Sequence, residues 1–212
     1  MSDQEKSGRR TLAEFHAALK AEGKWDEFQA MRKAKSEELA KRKAELDAAQ
    51  APLVEALRAT GLDVNSVWNL VNTAEPYPEA IPVLFEHLYK PYPERIVEGI
   101  LRALAVPDSR PRWPELLDLF EKYPSQATSG LRWAAGCALS ASADDGVIGE
   151  VMRIVADPRY GFERLAFLDV LARSNNARAK MMLHELRDDP VLGKEIKKQR
   201  RMNRLSKKKP SP

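Results

Sequence analysis

Apolar residues recur at helical spacing along most of the chain, and short polar turns separate the apolar segments. Near the N-terminus, Leu12, Phe15 and Leu19 recur at this spacing after Thr11, a candidate N-cap, and Gly23 ends the segment. This pattern predicts a first, short amphipathic helix.

A long charged helix is predicted to follow, beginning near Trp25 and running past Ala49. Large apolar residues are rare in its centre, but Leu39, Leu46 and Leu53 repeat every seven residues. Such a narrow stripe either packs on the rest of the protein or binds a partner helix, and the sequence leaves both alternatives open. Pro52 is expected to open a new helix or to kink this one.

From residue 63 the pattern changes to apolar segments of about a dozen residues, separated by turns rich in Pro, Asp, Ser and Asn. No run of β-branched residues alternates with polar ones, so strands are not expected. Short segments joined by short turns favour antiparallel helical pairs. The predicted segments are 80–89, 94–105, 113–123, 130–142, 146–156, 162–174 and 177–187.

These helical pairs repeat. Placing Arg132 on Arg164 superimposes GLRWAAGCALSAS on FERLAFLDVLARS, so that Leu139 meets Leu171, and Leu104 precedes Leu139 by 35 residues. A period of 32–35 residues with two helices per unit is typical of a stacked solenoid, in which each unit buries its apolar face on its neighbours.

The second helices of these pairs resemble those of HEAT repeats, over about residues 77–190. The likeness lies in the Asp157–Pro158 turn and in two runs of arginine, small residues and leucine: Arg132, Ala134, Ala135, Ala138 and Leu139, then Arg164, Ala166, Val170 and Leu171. It implies an all-α, HEAT-like α-solenoid of about three to four helical hairpins, whose second helices line a concave surface. It also implies an Asp–Arg ladder between repeats. The first unit departs from the pattern, because Arg95 lies nine residues before Leu104 rather than seven.

Charge is distributed unevenly along the chain. Residues 193–212 carry nine Lys or Arg and one acidic residue, a net charge of +8, whereas residues 51–192 carry a net charge of −5. We expect the tail to be mostly disordered, and to serve either solubility or a weak, non-specific contact with nucleic acid. Its candidate contact residues are Lys197, Lys198, Arg200, Arg201, Arg204, Lys207, Lys208 and Lys209. The chain is thus predicted to comprise a disordered segment 1–9, N-terminal helices 10–62 that are a candidate partner-binding region, HEAT-like repeats 63–192 and the tail 193–212.

No catalytic, metal or cofactor pattern is apparent. The three histidines, His16, His87 and His184, lie on different predicted helices without ligand spacing, and Cys137 sits among small apolar residues. Paired carboxylates lie on a charged helix or at helix ends, where capping explains them, and no phosphate-binding glycine loop occurs. We therefore expect a protein that is not an enzyme and needs no cofactor.

The compartment is expected to be the cytoplasm. Residues 1–10 are polar, and no apolar run approaches the ~18 residues that would indicate a membrane span. The single cysteine excludes an internal disulfide, which is consistent with a reducing compartment.

Binding of another protein is the favoured function, as a scaffold or adaptor that grips its partner in the concave face. The candidate contact residues leave the core side of the second helices: Glu94, Glu98, Arg102, Trp133, Asp169 and Arg173. Trp133 is either a packing residue or a binding hot spot. This mixed charge suits a protein surface better than a phosphate backbone.

The alternative function is nucleic-acid binding. It would use either the basic tail or a groove resembling that of the HEAT-like DNA glycosylases, with Trp113, Trp133 and Asp118 as a loose counterpart of that family's site. The identity of the partner and the oligomeric state stay open.

Overall fold

The computed structural model describes residues 11–125 and 130–206, and all regular structure within these ranges is helical. No strand occurs there, which confirms the all-α fold. The α-helices in these ranges are α1 (Leu12–Ala21), α2 (Trp25–Ala59), α3 (Ile81–His87), α4 (Glu94–Ala103), α5 (Trp113–Lys122), α6 (Leu131–Ser142), α7 (Ile148–Ala156), α8 (Leu168–Arg173), α9 (Ala177–Glu185) and α10 (Gly193–Ser206). Between them lie 3₁₀ helices at Val67–Leu70, Pro78–Ala80, Pro107–Arg112, Asp145–Val147, Pro158–Phe167 and Leu186–Asp188.

The chain divides into two compact units, Met1–Ala48 and Ala49–Pro212. The division falls inside α2 rather than at residue 63, because Leu53 and Leu57 are fully buried in the second unit. α2 also continues through Pro52 without ending there, and its own end is followed by Gly61 with a positive φ of 93°.

In the first unit, the predicted cap of α1 is confirmed. The Thr11 hydroxyl accepts a hydrogen bond from the Glu14 amide, and the Glu14 carboxylate accepts one from the Thr11 amide at 2.7 Å. Phe15 packs edge-on against Phe28, with ring centres 5.6 Å apart. The predicted disordered segment 1–9 lies outside the described residues.

In the second unit, α6 occupies the centre of the helical packing. It contacts α4, α5 and the 3₁₀ helix Pro158–Phe167, while α3 packs on α4 and α7 on α8. Leu104, Leu139 and Leu171 each have no exposed surface, so the predicted repeat register places the correct residues in the core. Burial of such an apolar stripe is what stabilises helices this short.

The segment predicted as a helix at 162–174 is helical, but it is 3₁₀ before it becomes α-helical. Pro158–Phe167 is 3₁₀ with a break at Gly161, where φ is 54° and ψ is −130°, and only Leu168–Arg173 is α-helical. Glycine reaches this backbone conformation far more readily than residues with a side chain. The predicted helix is therefore present directly after Gly161, and its first half is 3₁₀.

An Asp–Arg ion pair of the expected kind forms at Arg164. Arg164 has a relative exposure of 2%, and its guanidinium binds both carboxylate oxygens of Asp189 at 2.9 and 3.2 Å. It also donates to the carbonyl oxygens of Val155 (3.2 Å) and Gly161 (2.9 Å). Burial alone would raise the pKa of Asp189, but hydrogen bonds from Leu192, Arg164 and Val191 outweigh it and hold that pKa below its ordinary value.

At the positions 32 residues earlier in the sequence, the corresponding ion pair does not form. Asp157 lies 32 residues before Asp189, yet its carboxylate binds Arg159 at 2.6 Å. Arg132, the equivalent of Arg164, instead lies over the ring of Tyr160 at 5.9 Å. In the first helical pair of the second unit, Arg95 stacks on Trp68 at 3.7 Å and takes no part in a ladder. The polar contacts therefore do not repeat with the core.

The prediction that the tail is mostly disordered is wrong for residues 193–206, which form α10. The start of α10 is anchored because Leu192 has no exposed surface and Ile196 only 2%. Lys, Arg, Gln and Met are also favourable residues within a helix. Residues 207–212 lie outside the described part of the chain.

Candidate functional site

The α4 side of the candidate site is a stripe of charged residues spaced four apart, Glu94, Glu98 and Arg102. Glu98 has 17% of its side chain exposed and accepts hydrogen bonds from Arg95 at 2.9 Å and from Arg102 at 2.8 Å. Glu94 is exposed at the start of the stripe. The two ion pairs of Glu98, with Arg95 and with Arg102, restrict the orientation of these side chains.

α6 presents a half-exposed stripe of Trp133, Cys137 and Ser140 beside these charges. The opposite side of the helix is buried and consists of Ala134, Ala135, Ala138 and Leu139. A side chain at Gly130 would touch the Glu98 carboxyl group at 3.5 Å, which places the start of α6 directly against the charged stripe of α4.

Trp133 stacks on Phe162 and remains partly exposed. The ring centres are 5.4 Å apart and the planes are inclined by only 20°. Phe162 was not among the sequence candidates, since in the repeat alignment it falls opposite Gly130. The stack holds the indole in one orientation while leaving part of its surface open, which is the geometry of a preorganised aromatic anchor.

The far side of the site contains the exposed ion pair of Asp169 and Arg173, at 2.9 Å. Arg173 also donates to the carbonyl oxygens of Ser140 (2.6 Å) and Ala143 (3.2 Å). Because these are unpaired carbonyls at the C-terminus of α6, Arg173 caps that helix as well as contributing to the surface. Asp169 is the freer of the two, with 74% of its side chain exposed.

We call this surface the Trp133 face. It comprises Glu94, Glu98 and Arg102 from α4, Trp133, Cys137 and Ser140 from α6, and Phe162, Asp169 and Arg173 from the segment 162–173. Within the second unit, the structure thus gathers the six sequence candidates around α6, on the helices predicted to carry them, and adds the aromatic partner of Trp133.

A polar cleft of about 260 Å³ adjoins one end of the Trp133 face. It is lined by Arg110, Ala143, Asp144, Asp145, Val170, Arg173 and Ser174. Its charged groups are already engaged: Asp144 caps the Gly146 amide at 2.9 Å, and Arg110 donates to the Ser142 carbonyl at 3.2 Å. Hydrogen bonds, first from the Ser174 hydroxyl, lower the pKa of Asp145, so this carboxylate is ionised and poorly suited to general acid chemistry.

The other groups considered for chemistry have structural surroundings. Burial raises the pKa of the Cys137 thiol, and Arg102 offsets only part of that effect. Trp113 is buried and its indole N–H donates to the Leu139 carbonyl at 3.1 Å, so it belongs to the core, while Asp118 is exposed. Among residues 11–125 and 130–206, no three His, Cys, Asp or Glu side chains are grouped to hold a metal ion. None of the helices in the same ranges is long and apolar enough to cross a lipid bilayer.

His87 is the one histidine with a buried ring among those described. Its Nδ1 lies 2.7 Å from the Tyr92 hydroxyl and its Nε2 lies 2.8 Å from the Lys90 ammonium. A lysine ammonium can only donate, so Nε2 accepts and the Nδ1–H donates to Tyr92. Burial first, and then the charge of Lys90, lower the pKa of His87, which is therefore held in the neutral form.

Acidification should consequently destabilise the protein through His87. An unfolded histidine binds its proton near pH ~6.5, and between that pH and the lower pKa of folded His87 the unfolded state carries more protons. The free energy of unfolding should therefore fall as the pH drops from 7 to 5. Urea titrations at both pH values test this: the loss should shrink in His87→Gln but not in His184→Gln, whose ring is exposed. An equal loss in both variants and the wild type would contradict it.

The structure places the described basic candidates of the C-terminal segment on α10. Lys197, Lys198 and Arg201 are exposed, Arg200 and Arg204 belong to the same helix, and Lys207, Lys208 and Lys209 lie outside the described residues. Lys197 pairs with Asp188 at 3.1 Å and Lys198 with Glu195 at 3.3 Å.

Comparison of the chain with models of protein families, with curated proteins and with solved structures found no match in any of the three.

Proposed function

We propose that the second unit is a HEAT-like solenoid that binds another protein through the Trp133 face. The observation that carries this proposal is the partly exposed Trp133, held in a stack with Phe162 between two sets of charged residues. Tryptophan and arginine are enriched at the centres of protein interfaces, where they contribute most of the binding energy.

The surroundings of Trp133 favour a protein partner over a nucleic acid. Acidic and basic residues alternate around it, with Glu98 between Arg95 and Arg102 on one side and Asp169 beside Arg173 on the other. A phosphate backbone requires several unopposed cations on one face, whereas a protein surface offers partners for both signs. The net charge of −5 over residues 51–192 agrees with this choice.

The helical packing also supports the solenoid. α6 contacts both α4 and the 3₁₀ helix Pro158–Phe167, and the buried leucines Leu104, Leu139 and Leu171 follow one another at 35 and 32 residues. A stack of second helices presents an extended surface on which matching positions of neighbouring repeats line up. Arg102, Cys137 and Asp169 of the Trp133 face occupy such matching positions. We propose that this surface serves as a rigid scaffold rather than as a reaction site.

Truncation of Trp133 tests the proposal. The wild-type protein is immobilised, captured proteins are identified by mass spectrometry, and each candidate is purified and titrated directly. We expect Trp133→Ala to weaken the affinity for the true partner about 30-fold or more, since truncating a hot-spot residue costs ~2 kcal/mol or more of binding free energy. Met181→Ala removes an exposed apolar side chain from α9, outside the face, and should leave the affinity unchanged.

Circular dichroism must show that both variants keep the wild-type helicity. If every purified candidate binds Trp133→Ala and the wild type with equal affinity, the Trp133 face is not the binding surface.

A further inference from the structure

α10 carries its basic residues on one side. Lys194, Lys197, Lys198 and Arg201 follow the spacing i, i+3, i+4 and i+7, and all four are exposed. An α-helix turns by about 100° per residue, so these four side chains leave the helix within one sector of about 100°, viewed along its axis. We call this sector the arc. The acidic residue of the helix, Glu195, lies outside that arc.

The base of α10 is held firmly by the second unit. Ile196 is buried, and the Asp189 carboxylate accepts hydrogen bonds from the Val191 and Leu192 amides at 2.8 and 2.9 Å. α10 also packs against the 3₁₀ helix Leu186–Asp188. The cations thus lie on a helix that is already formed, so binding a ligand costs less conformational entropy than it would on an unstructured segment.

The cations on this side can exchange their present ion-pair partners for an anionic ligand. The pair of Lys197 with Asp188 and the pair of Lys198 with Glu195 are exposed, and surface pairs of this kind contribute only ~0–1 kcal/mol. Within residues 11–125 and 130–206, neither Lys194 nor Arg201 forms an ion pair.

We propose that this side of α10 binds the phosphate backbone of double-stranded nucleic acid without sequence preference. From Lys194 to Arg201 the helix rises about 10 Å at ~1.5 Å per residue. Over that length a duplex carries about six phosphates, at one per ~1.7 Å of its axis. The arc contains cations and no aromatic residue, so it has the charge to follow phosphates but lacks the anchors of a protein hot spot. The site is distinct from the Trp133 face.

The test is fluorescence anisotropy with the full-length protein and a labelled 20-base-pair duplex, at 50 and 200 mM salt. A variant with Lys194, Lys197, Lys198 and Arg201 changed to Gln removes the basic side. The matched control changes four exposed basic residues of α2 to Gln, namely Lys33, Lys35, Lys41 and Arg42, and so lowers the net charge equally. Substitution is preferable to deletion from residue 193, which would also remove the buried Ile196.

If four phosphates are contacted, wild-type affinity should fall ~100-fold between the two salt concentrations, following a slope of about −0.9 per phosphate. The α10 variant should lose most of the binding at 50 mM salt together with this salt dependence, while the α2 control should retain both. A second duplex of unrelated sequence should bind the wild type as tightly as the first.

Two results would overturn the proposal. The first is equal binding by the α10 variant and the α2 control, because the contact would then not lie on α10. The second is equally tight binding of poly-glutamate and the duplex at the same salt concentration, because α10 would then be a general site for acidic polymers, including acidic proteins.

Discussion

Replacing Asp189 by alanine should lower the free energy of unfolding by about 3–5 kcal/mol, because removing one partner of a buried ion pair leaves an uncompensated charge. The charge left behind is the guanidinium of Arg164, which is 2% exposed and binds Asp189 through both oxygens. The loss also includes the hydrogen bonds that Asp189 accepts from Val191 and Leu192. Urea unfolding at pH 7, followed by circular dichroism, measures the effect.

Two further variants separate the contribution of the ion pair from that of the hydrogen bonds which Asp189 accepts from the Val191 and Leu192 amides. Asp189→Asn keeps a side-chain oxygen for the amides of Val191 and Leu192 but removes the charge, so its loss isolates the pairing with Arg164. Combining Asp189→Asn with Arg164→Met should recover part of that loss, since removing both charges no longer leaves one buried alone.

Asp157 supplies the matched control, because it lies 32 residues before Asp189, at the aligned position of the sequence. Its partner Arg159 has 84% of its side chain exposed. Asp157→Ala should therefore reduce stability clearly less than Asp189→Ala. Equal losses at the two positions would show that burial of Arg164 does not decide the cost.

Leu139→Ala should lower the free energy of unfolding by ~2–5 kcal/mol, because it leaves a cavity between packed helices. Leu139 has no exposed surface, and α6, on which it lies, contacts α4, α5 and the 3₁₀ helix Pro158–Phe167. Leu171, which aligns with Leu139 in the sequence, is equally buried. Leu171→Ala should therefore show a loss in the same range.

The control is Leu39→Ala in α2, whose side chain is 58% exposed and whose truncation should change stability by less than ~0.5 kcal/mol. All variants are measured by urea unfolding under identical conditions. A loss below ~0.5 kcal/mol for Leu139→Ala would contradict the repeat register.

Much of the candidate site was predictable because its residues sit at fixed positions on helices. The stripe of Glu94, Glu98 and Arg102 follows from a spacing of four, and the partial exposure of Trp133 follows from the burial of Ala134 and its neighbours on the opposite side of α6. Phe162 could not be predicted in the same way. It lies near the break at Gly161, where a helical projection no longer gives the direction of a side chain.

The C-terminal segment shows that amino-acid composition alone does not decide whether a segment is ordered. Nine basic residues in the last twenty predict repulsion and disorder, which is the ordinary behaviour of a charge run. The burial of Leu192 and Ile196 reverses that expectation for residues 193–206. Two apolar residues within a charged segment carry little weight in a composition, yet they attach the helix to the rest of the unit.

The sequence by itself determined the helical class, the apolar register of Leu104, Leu139 and Leu171, and local caps such as that of Thr11. The helix caps and the apolar stripe that places each leucine in the core depend on residues within one or two turns of each other, so the linear order contains their cause. The tertiary structure alone decided that Arg164 pairs with Asp189 while Arg132 lies over Tyr160. A polar side chain binds whichever group lies within about 3 Å of it, and distances between separate helices follow from packing rather than from position in the chain.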